Sequence, residues 1–235
     1  MMKTKNAGFT LVEMAIVLVI VGLMVGGLLA PLSSQLEQRR TADTQKTLEE
    51  AREALLGFAL RNGYLPCPAI SAANGLEDRD ASRCTGERRQ GFLPWATLGL
   101  PKLDSWGHLF RYSVTPAFSD SAVPFRLQTP RDITIATRDA GGNLVAATGV
   151  NDIPAVVLSH GKNGYGSFSE QGVLAADAGS GNVDEKANQN PAGTAFITRG
   201  ASDNASAAGG AYDDILVWVS PNILYNRMVA AQRLP

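Results

Sequence analysis

The sequence contains little of what most catalytic and nucleic-acid-binding sites are made of. It has only two histidines and two cysteines in 235 residues, and its formal net charge is −1. A net charge near zero gives no electrostatic footprint for nucleic acid, so we predict no nucleic-acid partner. His160 directly follows Ser159, whereas a catalytic nucleophile and its base normally come from separate segments of the chain. We therefore predict that the protein is not an enzyme.

Charge is also absent from one long segment near the N-terminus. From Met14 to Leu36 the chain has 23 residues without a charged side chain. As a helix this segment is about 35 Å long, enough to cross a hydrocarbon core of about 30 Å. Lys3 and Lys5 precede it and place the N-terminus in the cytoplasm by the positive-inside rule. We predict a retained span over about residues 14–36 rather than a cleaved secretory signal, because the apolar run is longer than a signal core.

The two cysteines follow the predicted span and are consistent with a domain outside the cytoplasm, here called the head. Cys67 and Cys84 enclose 16 residues. In an oxidising compartment such a pair is typical of a disulfide that closes a loop. Two thiols alone make a poor metal site, and their spacing is not that of a zinc motif. We predict a disulfide.

The helix continues beyond the apolar segment. Apolar residues recur there at steps of three and four on one helical face, at Leu48, Ala51, Leu55 and Phe58. Asn62-Gly63 is a typical stop signal, and prolines follow within a few residues. We predict one helix over residues 9–62, with its second half packed on a globular head.

The head, residues 63–235, has the pattern of short strands separated by turns. The predicted strands are Leu109–Val114, Phe125–Gln128, Ile133–Thr137, Asn143–Ala147, Ala155–Ser159, Ala195–Thr198 and Ile215–Val219. Ser220-Pro221 indicates the start of a short closing helix. An antiparallel sheet that covers Leu48, Leu55 and Phe58 gives an α+β fold.

Glu13 directly precedes the uncharged segment and is the one charge in the apolar stretch from Gly8 to Leu32. A lone carboxylate in hydrocarbon costs about 2.5–3.5 kcal/mol. Glu13 ends the stretch Gly8-Phe9-Thr10-Leu11-Val12-Glu13, which follows a short basic leader. This stretch resembles the prepilin signal of type IV pilins and type II secretion pseudopilins. The resemblance implies a leader of residues 1–8, cleavage between Gly8 and Phe9 by prepilin peptidase, and N-methylation of Phe9.

The resemblance also gives Glu13 a role in assembly. The amine released at Phe9 in one subunit would neutralise Glu13 of a neighbour where neither charge is tolerated alone. The alternative is a Glu13 near the lipid headgroups with no role. The implied partners are other pilin or pseudopilin subunits, an inner-membrane assembly platform and membrane lipid. The implied location is the bacterial inner membrane, with the head in the periplasm, and then a pilus or pseudopilus.

Two head segments extend the resemblance. LDSWGHLFRYSV, from Leu103, is similar to a segment of major pseudopilins that leads into the sheet. VVLSHGKNGYGSF, together with the later YDDILVWVS, is similar to their loop that holds calcium. This makes Asp213 and Asp214 candidate calcium ligands, since carboxylates suit that ion. The alternative is that both are turn and strand-edge residues. Residues 161–210, rich in Gly, Ala, Ser and Asn, are predicted to be a long loop, either mobile or partner-binding.

Two classes of function follow. The first is a structural subunit, either a pseudopilin of a type II secretion system or a minor pilin of a type IV pilus. The segment around Trp106-Gly107 favours the pseudopilin, whereas the length of the head and the cysteine-closed loop favour a minor subunit of either machine. The second is a membrane-anchored extracytoplasmic binding domain that never polymerises.

Overall fold

The computed structural model of the chain describes residue 8 and residues 10–234, with the backbone alone for residues 25–31. The chain divides into two units, Met1–Ala42 and Asp43–Pro235. The helices are α1 (Leu11–Asn62), α2 (Trp95–Leu98), α3 (Pro116–Ser119), α4 (Val183–Asn188) and α5 (Pro221–Ala230). The strands are β1 (Arg79–Asp80), β2 (Arg83–Cys84), β3 (Gln90–Phe92), β4 (Arg111–Val114), β5 (Thr134–Arg138), β6 (Leu144–Ala146), β7 (Ala155–Ser159), β8 (Ala195–Ile197) and β9 (Ile215–Trp218).

The first unit contains the first part of α1, whose apolar side chains from Leu11 to Met24 are exposed. Leu11 is 87% exposed, and Leu18 and Leu23 are more than 70% exposed. The predicted span 14–36 includes residues 25–31, whose side chains lie outside the described part of the chain. Among the residues that the structure describes, no helix combines the length and the apolarity that crossing a membrane requires.

The centre of the second unit is a four-stranded antiparallel sheet with the strand order β3-β4-β7-β9. One of its two inner strands, β7, is buried at all five positions. Side chains alternate between the two faces of a strand, so such a strand must be covered on both faces. Ala155 and Val157 belong to one core cluster, and Val156 and Leu158 belong to another.

The second part of α1 covers one face of this sheet. Leu48, Ala51 and Leu55 have no exposed surface, and Phe58 is only 6% exposed. Leu48, Ala51 and Leu55 form one cluster with residues of the sheet and of α5, namely Tyr112, Val114, Val157, Val217, Leu224 and Met228. The periodic face predicted from the sequence is therefore the buried face, and the predicted α+β arrangement is confirmed.

A second, three-stranded sheet covers the other face. Its order is β6-β5-β8, with β5 and β6 antiparallel and β5 and β8 parallel. Ile133, Ile135 and Phe196 from this side pack with Val156 and Leu158 of the central sheet. The second unit therefore has three layers: helix, antiparallel sheet and mixed sheet.

The segment 161–210 differs from the predicted loop, because it contains α4 and β8 and supplies one strand of the mixed sheet. Three of its polar side chains, Asp184, Glu185 and Asn188, are buried. Buried polar groups require fixed hydrogen-bond partners, which holds such a segment in one conformation. The composition that predicted mobility therefore belongs to an integral part of the fold.

The predicted strand Phe125–Gln128 is absent from the described structure, which has a turn there. Thr129 N donates to the carbonyl of Arg126, and the Arg126 N–H donates to Thr129 Oγ1. Phe125 is buried by stacking on Phe118, with ring centroids 4.7 Å apart. Its apolar character therefore reflects packing in the core rather than pairing in a sheet.

Cys67 and Cys84 form a disulfide, with their Cα atoms 5.3 Å apart. Cys84 ends β2, the second strand of a small hairpin with β1 that the sequence pattern did not indicate. The bond thus ties the polar segment between the cysteines to the chain that follows α1, as the sequence predicts.

Candidate functional site

The N-terminal site begins at the first turn of α1, where Thr10 and Glu13 hold each other. The Glu13 carboxylate accepts hydrogen bonds from the Thr10 N–H at 2.8 Å and from Thr10 Oγ1 at 2.7 Å. In return, the Glu13 N–H donates to Thr10 Oγ1 at 3.2 Å. This reciprocal pattern is a capping box, which satisfies donors that a helix start leaves free. Glu13 therefore has a local partner in the isolated chain.

The cleavage site predicted between Gly8 and Phe9 lies at the edge of the described residues. Gly8 and Thr10 are described and exposed, whereas Phe9 lies outside the described residues. A shallow, wholly apolar groove of ≈ 310 Å³ runs along the first turns of α1 and is lined by Leu11, Val12, Ala15, Ile16, Val19 and Ile20. The start of the helix thus presents one exposed carboxylate at the end of an apolar surface.

In the head, Asp104 organises the turn within the LDSWG segment. Its Oδ1 accepts from the N–H groups of Trp106 and His108, at 2.9 and 2.8 Å. Gly107 has a φ of +87°, the left-handed region that glycine adopts without strain. Ser159 at the end of β7 donates from Oγ to Asp104 Oδ2 at 2.6 Å. The segment that begins at Leu103 and the segment that begins at Val156 are therefore joined here.

This arrangement lacks the order of a catalytic triad. Ser159 Oγ bonds to the carboxylate of Asp104, and His108 Nδ1 lies 3.6 Å from the same Asp104 Oδ2. In a triad the histidine stands between the serine and the acid, so that it can take the hydroxyl proton. The other histidine, His160, has its Nδ1 3.3 Å from Asp214 Oδ1. In the described contacts, neither histidine hydrogen-bonds a serine hydroxyl.

The predicted pair Asp213 and Asp214 is joined by Glu185 of α4. One carboxylate oxygen from each residue lies within 4.8 Å of the other two. Glu185 and Asp214 are buried, and Asp213 is partly buried. The sequence did not indicate Glu185, because it lies in the inserted segment 161–210, about 28 residues before Asp213, and only the tertiary fold brings them together.

The three carboxylates are partly satisfied by neighbouring amide groups. Asn163 donates from its backbone N–H to Asp213 Oδ2 at 2.8 Å and from Nδ2 to Glu185 Oε1 at 2.7 Å. Asn188 donates from Nδ2 to Asp214 Oδ2 at 2.7 Å. Asp213 Oδ1 is buried and accepts no hydrogen bond within the described part of the chain. One oxygen of the cluster is therefore left for a further ligand.

The electrostatics of the cluster also favour an added positive charge. Burial, together with the charges of Glu185 and Asp214, raises the pKa of Asp213 to about 7. Burial likewise raises the pKa of Glu185, with a further contribution from the Asp214 charge. A cation close to these carboxylates would lower both pKa values again, because an opposite charge favours the ionised form. The donor set of hard oxygens with one orphaned atom fits a divalent cation such as calcium.

A second acid fixes α4 in place. Asp184 is fully buried and receives two bonds from Arg138, at 2.6 and 2.8 Å, and one from Arg199 at 2.8 Å. Such charge-assisted pairs are short and directional. A Cβ at Gly209 would collide with this carboxylate, so the chain can pass here only as glycine. These bonds anchor α4 next to Glu185, whose Oε1 accepts a hydrogen bond from the Asp213 N–H at 3.0 Å.

Comparison with known proteins identifies one segment. Residues 3–29 match the family described as the prokaryotic N-terminal methylation motif. No curated protein and no solved structure matches the chain. The matched residues contain Gly8, Phe9 and Glu13 and the start of α1. Residues 3–29 of this chain therefore form a prepilin signal of the kind found in type IV pilins and pseudopilins.

Proposed function

We propose that the protein is a structural subunit of a pilus or pseudopilus, processed by prepilin peptidase and polymerised through α1. The observation that carries the proposal is the methylation motif over residues 3–29, which includes the start of α1, where the apolar side chains from Leu11 to Met24 are exposed in the isolated chain. An apolar surface of this extent is stable only against lipid or against other apolar helices. Both environments occur in the life of a pilin-like subunit.

Glu13 connects processing with assembly in this proposal. In the isolated chain its carboxylate is held by Thr10 through the capping box. Cleavage after Gly8 would place a new amine at Phe9, and a neighbouring subunit could present that amine to Glu13. The exchange of a neutral partner for a cationic one strengthens the hydrogen bond, particularly in an apolar filament core.

Two measurements test the proposal. Mass spectrometry of the protein from a host that contains prepilin peptidase should find an N-terminus at methylated Phe9, and an intact Met1 would contradict the proposal. Glu13→Gln should then be processed but largely absent from sheared filaments. Glu50→Gln, which removes an equal charge farther along α1, is the matched control and should enter filaments normally. A processed protein that never enters a filament would instead favour a membrane-anchored binding domain.

Within this class, we propose a pseudopilin of a type II secretion system in the inner membrane, with the head in the periplasm. The joined Asp104 turn and β7 end lie in the two segments that resemble major pseudopilins. The disulfide and the second sheet, to which the segment 161–210 contributes β8, enlarge the head and support a minor subunit. Deleting the gene should abolish secretion of folded substrates if the subunit serves secretion, and pilus-dependent motility or DNA uptake if it serves a type IV pilus.

We also propose that Glu185, Asp213 and Asp214 hold a divalent cation, calcium in particular. When bound, the ion would supply positive charge that neutralises the three carboxylates and ties α4 to β9. The residues support this by their short mutual distances and by the orphaned Asp213 Oδ1. The alternative is that the amide and histidine partners alone complete the cluster.

Thermal unfolding of the full chain in neutral detergent separates these alternatives. Calcium added to chelator-treated protein should raise the melting temperature, and magnesium should raise it less, because a site of protein oxygens suits the larger ion. Asp213→Asn should abolish the calcium-dependent shift. Asp203→Asn, an exposed acid in the preceding segment, should leave it unchanged. An equal melting temperature with and without calcium would contradict the site.

A further inference from the structure

Arg111, the first residue of β4, holds a charge that the described structure does not compensate. Its Nε is buried and has no hydrogen-bond partner, and its guanidinium forms no ion pair with any described residue. Its Cζ lies 4.8 Å from the centre of the Phe168 ring. Burial lowers the pKa of Arg111 to about 10, so the group is still charged at neutral pH. A cation held this way is costly unless an anion completes its surroundings.

Two adjoining cavities meet at this guanidinium. Both are lined by Arg111 and Phe168, and their volumes are ≈ 740 Å³ and ≈ 430 Å³. The larger cavity has an apolar wall that includes Leu174, Val183 and Pro191. Leu174 is 61% exposed and Val183 is 48% exposed, so this wall is open to a ligand.

The smaller cavity is cationic. Among its described lining residues are Arg88 and Arg111 but no acid. Arg88 is exposed and forms no ion pair within the described chain. The polar side chains Gln90 and Gln171 also line this cavity. The larger cavity contains its own compensated pair, Lys186 and Asp177, so the excess positive charge is concentrated where the two cavities meet.

We propose that this double cavity binds a carboxylate that carries an apolar group, with the carboxylate between Arg111 and Arg88 and the apolar group against Leu174 and Val183. The planar guanidinium matches a carboxylate with two parallel hydrogen bonds, which a spherical anion cannot use as well. The carboxylate can belong to a free organic acid or to a peptide, and both present the same chemistry. The inference is independent of the role in filaments.

Calorimetric titration of the full chain in non-ionic detergent tests the proposal. N-acetyl-leucine should bind, and N-acetyl-leucinamide, of the same shape without the charge, should bind at least about tenfold more weakly. Acetyl-Leu-Glu-Leu-amide against its glutamine analogue repeats the comparison for a peptide. Tighter binding of the peptide indicates a protein partner, and tighter binding of the free acid indicates a metabolite. No saturable binding of either acid at millimolar concentration would overturn the proposal.

Variants assign the binding to the two arginines. Arg111→Met should abolish it, and Arg88→Gln should weaken it about tenfold. Arg126→Gln removes an exposed arginine outside both cavities and should have no effect. Equal affinity of Arg88→Gln and the unmodified protein would overturn the assignment even if Arg111→Met did not fold.

A second readout separates a binding arginine from a structural one. Without ligand, Arg111→Met should raise the melting temperature, because a desolvated charge without an ionic partner is replaced by an apolar chain of similar length. A structural arginine would instead lower the melting temperature when removed. N-acetyl-leucine should raise the melting temperature of the unmodified protein and leave that of Arg111→Met unchanged.

Discussion

The two parts of α1 have opposite relations to the rest of the chain. Between Leu11 and Met24 the apolar side chains are exposed, with Leu11 at 87% and Leu23 at 73%. From Leu48 onward one apolar face is buried against the central sheet, with Leu48 and Leu55 at 0%. The same helix is therefore exposed in its first part and packed on the sheet in its second part. Only the second part contributes to the stability of the head.

This difference teaches which substitutions change folding and which change assembly. A side chain that has no cover in the isolated chain loses little when it is shortened. A side chain in a packed core loses transfer free energy and leaves a cavity. The two parts of α1 therefore offer matched pairs of substitutions, in which the same change is made in two environments.

The largest difference should come from leucine truncation. Leu55→Ala should lower the free energy of unfolding of the head by about 2–5 kcal/mol, because it opens a cavity between α1 and the sheet. Leu18→Ala, the same change at a position 71% exposed, should leave it within about 0.5 kcal/mol. Denaturant unfolding of the full chain in detergent measures both. Equal effects at the two positions would refute the contrast.

Removing the disulfide should have the next largest effect. Cys67→Ser with Cys84→Ser releases a loop with a sequence separation of 17 residues, for which loop entropy predicts a loss of about 3 kcal/mol. Both cysteines lie in the head, after the end of α1. Loss of the bond should therefore lower the stability of the head and leave the exposed first part of α1 unaffected. Denaturant unfolding of the double variant and of the reduced protein should give similar values. A double variant as stable as the oxidised protein would contradict this view.

A smaller effect should appear as a pH dependence at the carboxylate cluster. The pKa of Asp213 is about 7 in the fold, above its ordinary value of 3.8, so the folded state holds this proton more tightly than the unfolded state. Without divalent cations, the free energy of unfolding should fall by about 1–2 kcal/mol between pH 4 and pH 7, allowing for partial exposure, and level off above that.

Asp213→Asn removes the titrating group and should flatten this profile in chelator, as followed by denaturant unfolding at several pH values. If the free energy of unfolding of the variant fell with pH as much as that of the unmodified protein, the pH dependence would belong to another group. Because Asp213 belongs to the head, the effect should be independent of substitutions between Leu11 and Met24.

The smallest effect should come from the solvated side of the buried part of α1. Lys46 and Glu50 are four residues apart, with Nζ and Oε1 separated by 3.8 Å and both side chains exposed. Lys46→Ala should change the free energy of unfolding by no more than about 0.5 kcal/mol. A loss comparable to that of Leu55→Ala would mean that the outer face of the helix also carries stability, and the contrast between the two parts would no longer hold.

Local patterns predicted the elements that rest on a single strong signal. The strand β7 has the predicted bounds Ala155–Ser159, because a short apolar run with two adjacent valines lies between Pro154 and His160. The closing helix α5 begins at Pro221 after Ser220, as their order indicates. The end of α1 at Asn62 follows from the glycine after it. In these cases neighbouring residues alone determine the local structure.

Features that depend on distant partners could not be predicted from the sequence. The strand β3 has only three residues with a glycine at its centre, and Gly91 is needed because a Cβ there would lie 2.6 Å from the Ala69 carbonyl. The parallel pair of β5 and β8 joins residues about 60 positions apart. Such pairings are determined by tertiary packing rather than by propensity.

The candidate sites divide in the same way. Gly8, Phe9 and Glu13 lie within six consecutive residues and form a local motif. Asp213 and Asp214 are adjacent, but Glu185 and the amides of Asn163 and Asn188 reach them only through the fold. The pattern around Arg111 contains no signal for a cavity, because an arginine at the start of a strand is usually a solvated edge residue.

The covering of both faces of the central sheet limits how the head can be shortened. Without residues 161–210 the chain would lack α4 and β8, and Val156, Leu158 and Leu216 would lose Phe196 as a neighbour. A truncated head would then expose part of a hydrophobic sheet face and tend to aggregate. The glycine-rich segment is therefore part of the packed domain and not a flexible linker. Tags should be inserted, and deletions made, outside it.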